Sequence, residues 1–318
     1  MSAEQWLEPG SVGVATGDGR WRMLALPARG GLLASLQYRR ADTGAWQDLL
    51  AGPGPDGPGF SNPFFRGVPL YPFPNRLRDG CWRYAGEQLH FPLNEPQRGN
   101  ALHGFLYRRA LQALIVRESL HEAGITLQLD YAGDEAGYPF AAWVELQYHL
   151  DSEAGLRFDL MVTNRHAYSV PLGLGWHPYL CLNGIVDNWY LQLPPCECVE
   201  VDERMLPVGR LSAMTRFRER ERIHDWQVDH CFRLLPTTGQ QTTRLWEGAA
   251  MDAFGVELWQ DASAFPGLQV YIPPDRQSLA LEPVSCGIDA LNTGEGLRWL
   301  EPGECWVASC GLRVLDGR

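Results

Sequence analysis

The segment Ile125-Thr126-Leu127-Gln128-Leu129-Asp130-Tyr131 alternates apolar and polar residues, and so does Val144-Glu145-Leu146-Gln147-Tyr148-His149-Leu150. Successive side chains of a β-strand point to opposite faces, so this period of two indicates strands with one buried and one solvated face. The turn-rich stretch Asp134-Glu135-Ala136-Gly137 separates the two segments. We therefore expect them to form an antiparallel pair.

Strand-like segments continue on both sides of this pair, at residues 21–26, 31–38, 111–118, 158–164, 189–193, 256–260, 268–273, 278–282 and 305–315. The 34 glycines and 23 prolines suit many turns and few long helices. The best helical pattern covers residues 216–226, for which a charged, solvated segment is an equal alternative. Many short strands separated by turns predict an all-β sandwich or barrel.

The length of 318 residues fits either two average domains or one large β domain. Residues 51–60 contain seven glycines or prolines in ten and could be a linker. Strand-like patterns flank this short stretch on both sides, so we interpret it as a surface loop. We expect residues 1–318 to form a single β-sandwich domain.

All 27 basic residues are arginines, because the chain contains no lysine. This excludes a Schiff-base aldolase, a lysine-anchored pyridoxal-phosphate enzyme and a phosphate loop that needs its lysine. The formal net charge is −11. So acidic a chain is not expected to bind nucleic acid or an anionic membrane through its overall field.

The N-terminus has neither the basic start nor the apolar core of a signal peptide, and no apolar run approaches the roughly 18 residues of a membrane helix. We therefore expect a cytoplasmic protein. Most of the eight cysteines are interpreted as buried and reduced. Cys196 and Cys198 are too close together for the usual zinc motif, so no metal site is predicted.

Two polar segments stand in rigid surroundings in the first half of the chain. In Tyr71-Pro72-Phe73-Pro74-Asn75-Arg76, the prolines restrict the backbone and direct Asn75 and Arg76. The Arg76 guanidinium suits hydroxyl groups or a carboxylate, and a structural salt bridge is the alternative. In the segment around His103, Gly104 allows a ligand or another backbone to approach closely. A satisfied core or surface histidine is the alternative there.

Two further segments lie in the second half. His177 stands between Trp176 and Pro178, where burial would lower the pKa of the imidazole and a nearby carboxylate would raise it. The aromatic face of Trp176 could stack on a sugar ring. Glu282 lies in an apolar strand, where desolvation would raise the pKa of the carboxyl group, as a general base near neutral pH requires. A buried ion pair is the alternative interpretation.

A weaker candidate is Asp229-His230-Cys231-Phe232. Adjacent strand residues face opposite ways, so His230 and Cys231 are not expected to form a catalytic dyad, and Asp229 is the better candidate as a polar ligand to substrate. The sequence has no GxSxG, HExxH or GxGxxG motif opening a helix. The residues alone indicate a cofactor-free enzyme that uses acid–base catalysis on a neutral polar molecule.

Taken in order, these segments resemble the aldose 1-epimerase, or galactose mutarotase, family. The matching motifs are P-x-P-N-R, L-H-G about 25 residues later, G-W-H-P-Y, and L-E-P-x-x-C-x-x-D-A-x-N, within residues 20–315. The resemblance implies a galactose mutarotase-like antiparallel supersandwich, no cofactor, and a small sugar as the partner. A monomer or homodimer is expected.

The resemblance also implies roles for residues. His177 would protonate the ring oxygen of an aldose as general acid, and Glu282 would remove the proton from the C1 hydroxyl as general base. Asn75, Arg76, His103, Trp176 and Asp229 would bind the sugar. The reaction would interconvert the α and β anomers of a free hexose such as galactose or glucose.

Two departures from the usual pattern leave the substrate open. Leu180 replaces a usual phenylalanine, and the Glu282-Pro283 form resembles a less characterised bacterial branch. A hexose-6-phosphate mutarotase is one alternative, in which Arg78, Arg98 or Arg108 could bind the phosphate. A non-catalytic sugar-binding protein on the same fold is another, and a carbohydrate-active hydrolase or lyase is a third.

Overall fold

The computed structural model describes residues 10–53, 55–56, 59–60 and 62–316. Its first strands are β1 Val12–Ala15, β2 Trp21–Leu26, β3 Leu32–Arg39, β4 Trp46–Asp48, β5 Pro55–Asp56, β6 Gly59–Phe60, β7 Pro69–Leu70, β8 Arg76–Arg78, β9 Cys81–Tyr84, β10 Glu87–His90, β11 Asn100–Leu102, β12 Gln112–Glu118, β13 Glu122–Tyr131, β14 Ala142–Asp151 and β15 Gly155–Asn164. The remaining strands are β16 Val170–Leu172, β17 Gly175–Trp176, β18 Tyr179–Leu180, β19 Tyr190–Gln192, β20 Cys196–Val201, β21 Pro207–Met214, β22 Glu221–Arg222, β23 Asp229–Leu234, β24 Gln240–Trp246, β25 Gly255–Asp261, β26 Gly267–Tyr271, β27 Leu279–Val284, β28 Arg298–Leu300 and β29 Cys305–Leu315. Helical geometry in the described residues is confined to α1 Ala290–Thr293 and to three 3-10 turns, Pro27–Arg29, Leu106–Arg108 and Val186–Asn188.

Two large sheets dominate the fold. One has nine strands in the order β12-β13-β14-β15-β29-β25-β24-β19-β22. The other has eight, in the order β21-β20-β23-β26-β27-β17-β7, with β18 also paired to β27. A four-stranded sheet, β1-β2-β3-β4, and the two-stranded pairs β5-β6, β8-β11, β9-β10 and β16-β28 complete the pairing. Neighbouring strands of the two large sheets run antiparallel.

The two large sheets share one apolar core. Leu146 and Leu160 of the nine-stranded sheet and Leu268 and Leu281 of the eight-stranded sheet are completely buried in the same hydrophobic cluster. Phe158 of β15 contacts Trp176 of β17 across the core, with ring centroids 5.3 Å apart. Each such side chain stabilises the fold by about 1.5–3 kcal/mol through burial. The expectation of a large antiparallel β-sandwich is confirmed.

The alternating patterns located the strands well. The segment at 125–131 lies in β13 and that at 144–150 lies in β14, and the two pair antiparallel, with Leu127 opposite Leu146. The helical interpretation of residues 216–226 is wrong, because this segment contains the two-residue strand β22 between turns. Within residues 51–60, β5 pairs antiparallel with β6, and residues 54, 57 and 58 lie outside the described part of the chain.

Candidate active site

Strand register brings His177 and Glu282 together although they lie far apart in the sequence. Strands β17 and β18 both pair with β27, with Gly175 opposite Val284 and Tyr179 opposite Ala280. His177 lies midway between β17 and β18, and this register places it across from Glu282. The Nε2 atom of His177 is 3.4 Å from Oε1 of Glu282.

The same sheet extends the site on the other side of Glu282. Gln269 of β26 is the direct partner of Glu282, and Tyr271, two residues further on, is the direct partner of Asp229 in β23. Because positions two residues apart share a face, Glu282, Gln269, Tyr271 and Asp229 lie on one face of the eight-stranded sheet. The strands of this sheet therefore supply one wall of the site.

The opposite face of these strands belongs to the core. Trp176, next to His177, is completely buried and packs on Phe158. It is absent from the residues that line the cavity described below. The structure thus gives Trp176 a packing role and does not bring it to the predicted sugar site, because adjacent strand residues face opposite ways. The same alternation separates His230 from Cys231, as expected.

A cavity of about 310 Å³ opens over this face of the sheet. Its lining combines polar, charged and aromatic side chains: Pro63, Phe64, Phe65, Asn75, Arg76, Glu95, Arg98, Leu102, His103, His177, Tyr179, Asp229, Gln269, Tyr271 and Glu282. Six of the seven residues predicted from the sequence as site residues line it, and Trp176 does not. The space suits a small polar ligand.

His177 and Glu282 are both almost completely buried, with 4% and 2% of their surfaces exposed. Nδ1 of His177 and Oε2 of Glu282 have no hydrogen-bonding partner among the described residues. Burial, together with the charge of Asp229, raises the pKa of Glu282 well above its ordinary value. Burial and the neighbouring His103 hold the pKa of His177 well below its ordinary value.

The opposite pKa shifts of Glu282 and His177 determine which of the two groups holds the proton. The raised pKa favours the protonated carboxyl group of Glu282 and the lowered pKa favours the neutral imidazole of His177, and in this state the two groups together hold one transferable proton. The alternative form, imidazolium with carboxylate, contains the same number of protons. The pair can therefore donate a proton at one position of a ligand and accept one at another.

Arg76 is held on the opposite wall by a second glutamate. Its Nε and Nη2 atoms donate hydrogen bonds to the carboxylate of Glu95, at 3.0 Å to Oε2 and 3.0 Å to Oε1 respectively. Asn100 and Arg98 donate further hydrogen bonds to Glu95, at 2.9 and 2.8 Å. Burial would raise the pKa of Glu95, but the hydrogen bonds from Arg76 and Asn100 outweigh it and lower that pKa. The pair is a fixed ion pair.

A chain of amide hydrogen bonds connects this wall to the sheet. Asn75 Nδ2 donates to Gln269 Oε1 at 2.9 Å, and Gln269 Nε2 donates to Asp229 Oδ1 at 2.6 Å. The other carboxylate oxygen of Asp229 lies 3.6 Å from Nη2 of Arg76. These contacts orient Asp229, whose side chain is one-third exposed to the cavity.

The tautomer of His103 follows from one backbone contact. The N–H of Asn75 donates to Nδ1 of His103 at 3.1 Å, so in the neutral ring the proton is on Nε2. Burial, with the nearby Arg76, lowers the pKa of His103 to about 3 and keeps the ring neutral. His103 is therefore a hydrogen-bond donor at Nε2.

The backbone around His103 and Asn75 is unusual. Both residues have left-handed conformations, each with φ of 61°, and this conformation is uncommon outside glycine. Gly104 also has a positive φ, and a Cβ there would lie 2.2 Å from the carbonyl oxygen of Tyr71. The close approach predicted at Gly104 is thus made by another backbone segment.

Ligand atoms of His103, His177 and Glu282 lie within 4.8 Å of one another, a distance compatible with a shared metal ion. The tautomer of His103 does not fit that role. Its Nδ1 accepts a backbone proton, so its Nε2 carries hydrogen and has no free lone pair for a metal. The donor set suits hydrogen bonding to a polar ligand better than metal binding.

Sequence reasoning missed Glu95, Gln269, Tyr179, Tyr271 and Phe65. Gln269 and Tyr271 could have been found by pairing the strand at 268–273 with that at 278–282, because register then places them beside Glu282. Tyr179 lies in the same polar segment as His177. Glu95 and Phe65 lie in irregular segments, where no periodic signal marks them.

The three arginines named for a phosphate lie in different places. Arg78 bonds Asp289, and Arg108 bonds Glu135. Neither lines the cavity, whereas Arg98 does. Arg98 is the one member of this set available at the cavity.

The two packed antiparallel sheets place the protein in a class defined by its fold, the galactose mutarotase-like β-sandwiches. The chain belongs to the aldose 1-epimerase family, whose model matches residues 16–313. Among the residues that the structure describes, no helix has the length and apolar character needed to cross a membrane.

One relative and two solved structures share between 17% and 31% sequence identity with this chain. The uncharacterized protein YihR of Escherichia coli K12 is 31% identical over 245 residues, which are 75% of each chain. A galactose mutarotase-like protein from Clostridium acetobutylicum superposes with a TM-score of 0.81 at 20% identity, over 96% of this chain and 95% of that one. Galactose 1-epimerase from Lactobacillus acidophilus gives 0.75 at 17% identity, over 97% and 98% of the two chains. These two structures show that the fold is shared.

Proposed function

We propose that this protein is a cofactor-independent aldose 1-epimerase that interconverts the α and β anomers of a free hexose such as galactose or glucose. The observation that carries the proposal is the contact between His177 and Glu282, whose side chains lie 3.4 Å apart at a cavity of about 310 Å³. Membership of the aldose 1-epimerase family supports it. We place the activity in the cytoplasm, in a monomer or homodimer.

Anomer exchange needs one proton to leave the C1 hydroxyl and one to reach the ring oxygen. Glu282 as carboxylate takes the first proton, and His177 as imidazolium supplies the second. The ring C1–O bond breaks to give the aldehyde, the C1–C2 bond rotates, and closure on the other face of the carbonyl reverses both transfers. Each group contributes on the order of 10²–10⁴-fold.

The resting pair is neutral, so one proton must pass from Glu282 to His177 before these roles are taken. The transfer leaves the total number of protons unchanged, and its free energy therefore does not depend on pH. The charge of Arg76 favours the carboxylate form of Glu282. Hydroxyl groups of a bound sugar would further stabilise the charged form by donating to the carboxylate.

The charges of the cavity support an uncharged substrate. Arg76 and Arg98 are balanced by Glu95 and Asp229, and the resting catalytic pair adds no charge. Arg76, Nε2–H of His103 and Asp229 offer donors and an acceptor for sugar hydroxyls. The ring of Tyr271 provides apolar surface for a C–H face of a pyranose.

Polarimetry tests this proposal directly. Freshly dissolved α-glucose, α-galactose and a hexose 6-phosphate are followed with and without the protein. We expect the protein to accelerate the approach to the equilibrium rotation for at least one free hexose. Absence of acceleration with all three sugars would overturn the proposal.

Arg98 favours one alternative, a hexose-6-phosphate mutarotase. Its side chain lines the cavity and is 42% exposed, and a guanidinium group suits a phosphate. Acceleration confined to the phosphorylated hexose would select this alternative. Binding of a hexose measured by calorimetry without any acceleration would instead select a non-catalytic sugar-binding protein.

A further inference from the structure

Phe65 lies in a turn and has a backbone conformation that is unfavourable for phenylalanine. Its φ is 55°, in the left-handed region that bulky residues rarely adopt. The side chain of Asn62 closes the turn, donating from Nδ2 to the carbonyl of Arg66 at 2.9 Å and accepting from the N–H of Arg66 at 2.8 Å. An aromatic residue in this conformation indicates that the position of its ring matters.

The turn is tied directly to the catalytic histidine. The N–H of Gly67 donates to the carbonyl of His177 at 2.8 Å, and the N–H of His177 donates to the carbonyl of Val68 at 3.0 Å. A Cβ at Gly67 would lie 2.3 Å from the carbonyl oxygen of Leu33, so this close approach of two backbone segments requires glycine. The backbone that carries Phe65 is thus hydrogen-bonded, two residues further on, to the backbone of His177.

The ring of Phe65 contacts both imidazoles of the cavity. It packs edge-on against His103, with ring centroids 4.8 Å apart, and nearly parallel to His177, with centroids 6.4 Å apart and an interplanar angle of 20°. Tyr179 stacks on His177 at 5.1 Å and 6°. Phe65 and Tyr179 together restrict the plane of the His177 ring.

We propose that Phe65 is a positioning residue of the active site, whose ring excludes water from His103 and His177 and fixes the plane of the His177 imidazole. This inference rests on the proposed function for its consequence in catalysis. Water exclusion keeps both imidazoles neutral in the resting site, and a fixed plane directs Nε2 of His177 toward Glu282 and the substrate.

Several groups other than Phe65 act on the protonation of His177. Glu282 faces it from β27, His103 from the segment after β11, and Tyr179 from β18. The charge of Arg76 lowers the pKa of His103. A substitution at Phe65 keeps Glu282, Tyr179 and Arg76, and it acts on His177 by admitting water to His177 itself and to the adjacent His103.

Phe65→Gly removes the ring and relaxes the backbone, because glycine adopts a positive φ readily. We expect this variant to fold, to lose about tenfold or more in kcat/KM, and to show an acid limb of the kcat/KM profile at higher pH. The limb moves upward because a hydrated imidazole takes a proton more easily, and a second proton on the catalytic pair stops the reaction. Phe65→Tyr keeps the ring and should retain the wild-type profile.

Phe217→Leu is a matched control. Phe217 also has a positive φ, of 63°, but it packs on Trp226 and does not line the cavity. This variant should lower the melting temperature and leave the pH profile unchanged. A Phe65→Gly profile with the wild-type acid limb and a kcat/KM within twofold of wild type would overturn the inference.

A direct titration separates this inference from the proposed function. The ring protons of His177, assigned in NMR spectra with a His177→Asn variant, are titrated in the wild type and in Phe65→Gly. The pKa of His177 should rise in Phe65→Gly even if no sugar is epimerised. An unchanged pKa contradicts the role of Phe65, whereas a raised pKa in a protein without mutarotase activity contradicts only the proposed function.

Discussion

The cavity contains two glutamates, each beside a basic side chain, and they differ in almost every other respect. Glu95 accepts hydrogen bonds from Arg76, Arg98 and Asn100, and its pKa is lowered. Glu282 faces a neutral imidazole, one of its oxygens has no partner among the described residues, and its pKa is raised. The number of donors around a buried carboxyl group thus decides whether it is a fixed anion or a carrier of protons.

The largest effect is expected at Glu282, the proposed proton carrier, and concerns the mutarotation rate. Glu282→Gln keeps the shape of the side chain but removes the exchangeable proton, so the mutarotation rate should fall by roughly 10³-fold or more while the protein still folds. Polarimetry gives the rate, and circular dichroism verifies the fold. A variant with more than a tenth of the wild-type rate would exclude Glu282 as the base.

Substitution of Glu95, the fixed anion, should instead lower the free energy of unfolding. Glu95→Ala leaves the buried guanidinium of Arg76 without its main partner, and we expect a loss of about 3–5 kcal/mol in the free energy of unfolding. Urea denaturation measures it. A loss below about 1 kcal/mol would mean that water or another group replaces Glu95, and the ion pair would then not organise this wall.

The pH dependence of stability should differ between the two carboxyl groups. The raised pKa of Glu282 in the folded state means that its contribution is present below its ordinary pKa of 4.5 and is lost as pH rises toward the folded value. As the pH rises above about 4.5 toward the folded pKa of Glu282, wild type should therefore lose stability relative to Glu282→Gln, by up to about 1.4 kcal/mol per pH unit. Urea denaturation of both proteins at four pH values tests this. A constant difference would contradict the raised pKa.

The smallest effect is expected at Arg98, the most exposed of the residues that donate hydrogen bonds to Glu95. Arg98 is 42% exposed, so Arg98→Gln should change the free energy of unfolding by about 1 kcal/mol or less. Its KM for a free hexose should change by less than about threefold, since a half-exposed hydrogen bond contributes little. Steady-state polarimetry measures KM. A much larger change in KM would indicate that Arg98 contacts the substrate directly.

Much of the fold follows from the period-two patterns, because both large sheets bury one face and leave alternation in the sequence. The predicted strands at 21–26 and 305–315 are β2 and β29. The helical interpretation of 216–226 failed because its arginines bond loop carbonyls. Arg222 donates to the carbonyl of Asp187 at 3.0 Å, and Arg220 donates to that of Ala250 at 2.7 Å. Such tertiary contacts override a local pattern.

The candidate site could be predicted in part. His177 and Glu282 were found because each is a titratable residue within an apolar segment. The resemblance predicts Trp176 at the sugar, but the alternation that identifies the strands turns its side chain into the core. Glu95 and Phe65 lie in turns, where the chain direction depends on contacts with distant segments, and no local pattern reveals which way their side chains point.

Glu282 lies in β27 and His177 lies between two strands that pair with β27, whereas Phe65, Asn75, Glu95 and His103 come from connecting segments. Part of the proposed ligand-binding set thus comes from segments that are separate from the strand carrying Glu282. Grafting a different 62–66 or 95–103 segment could change which sugar is accepted without disturbing the register that pairs His177 with Glu282. The scaffold is suited to acquiring new substrates by loop exchange.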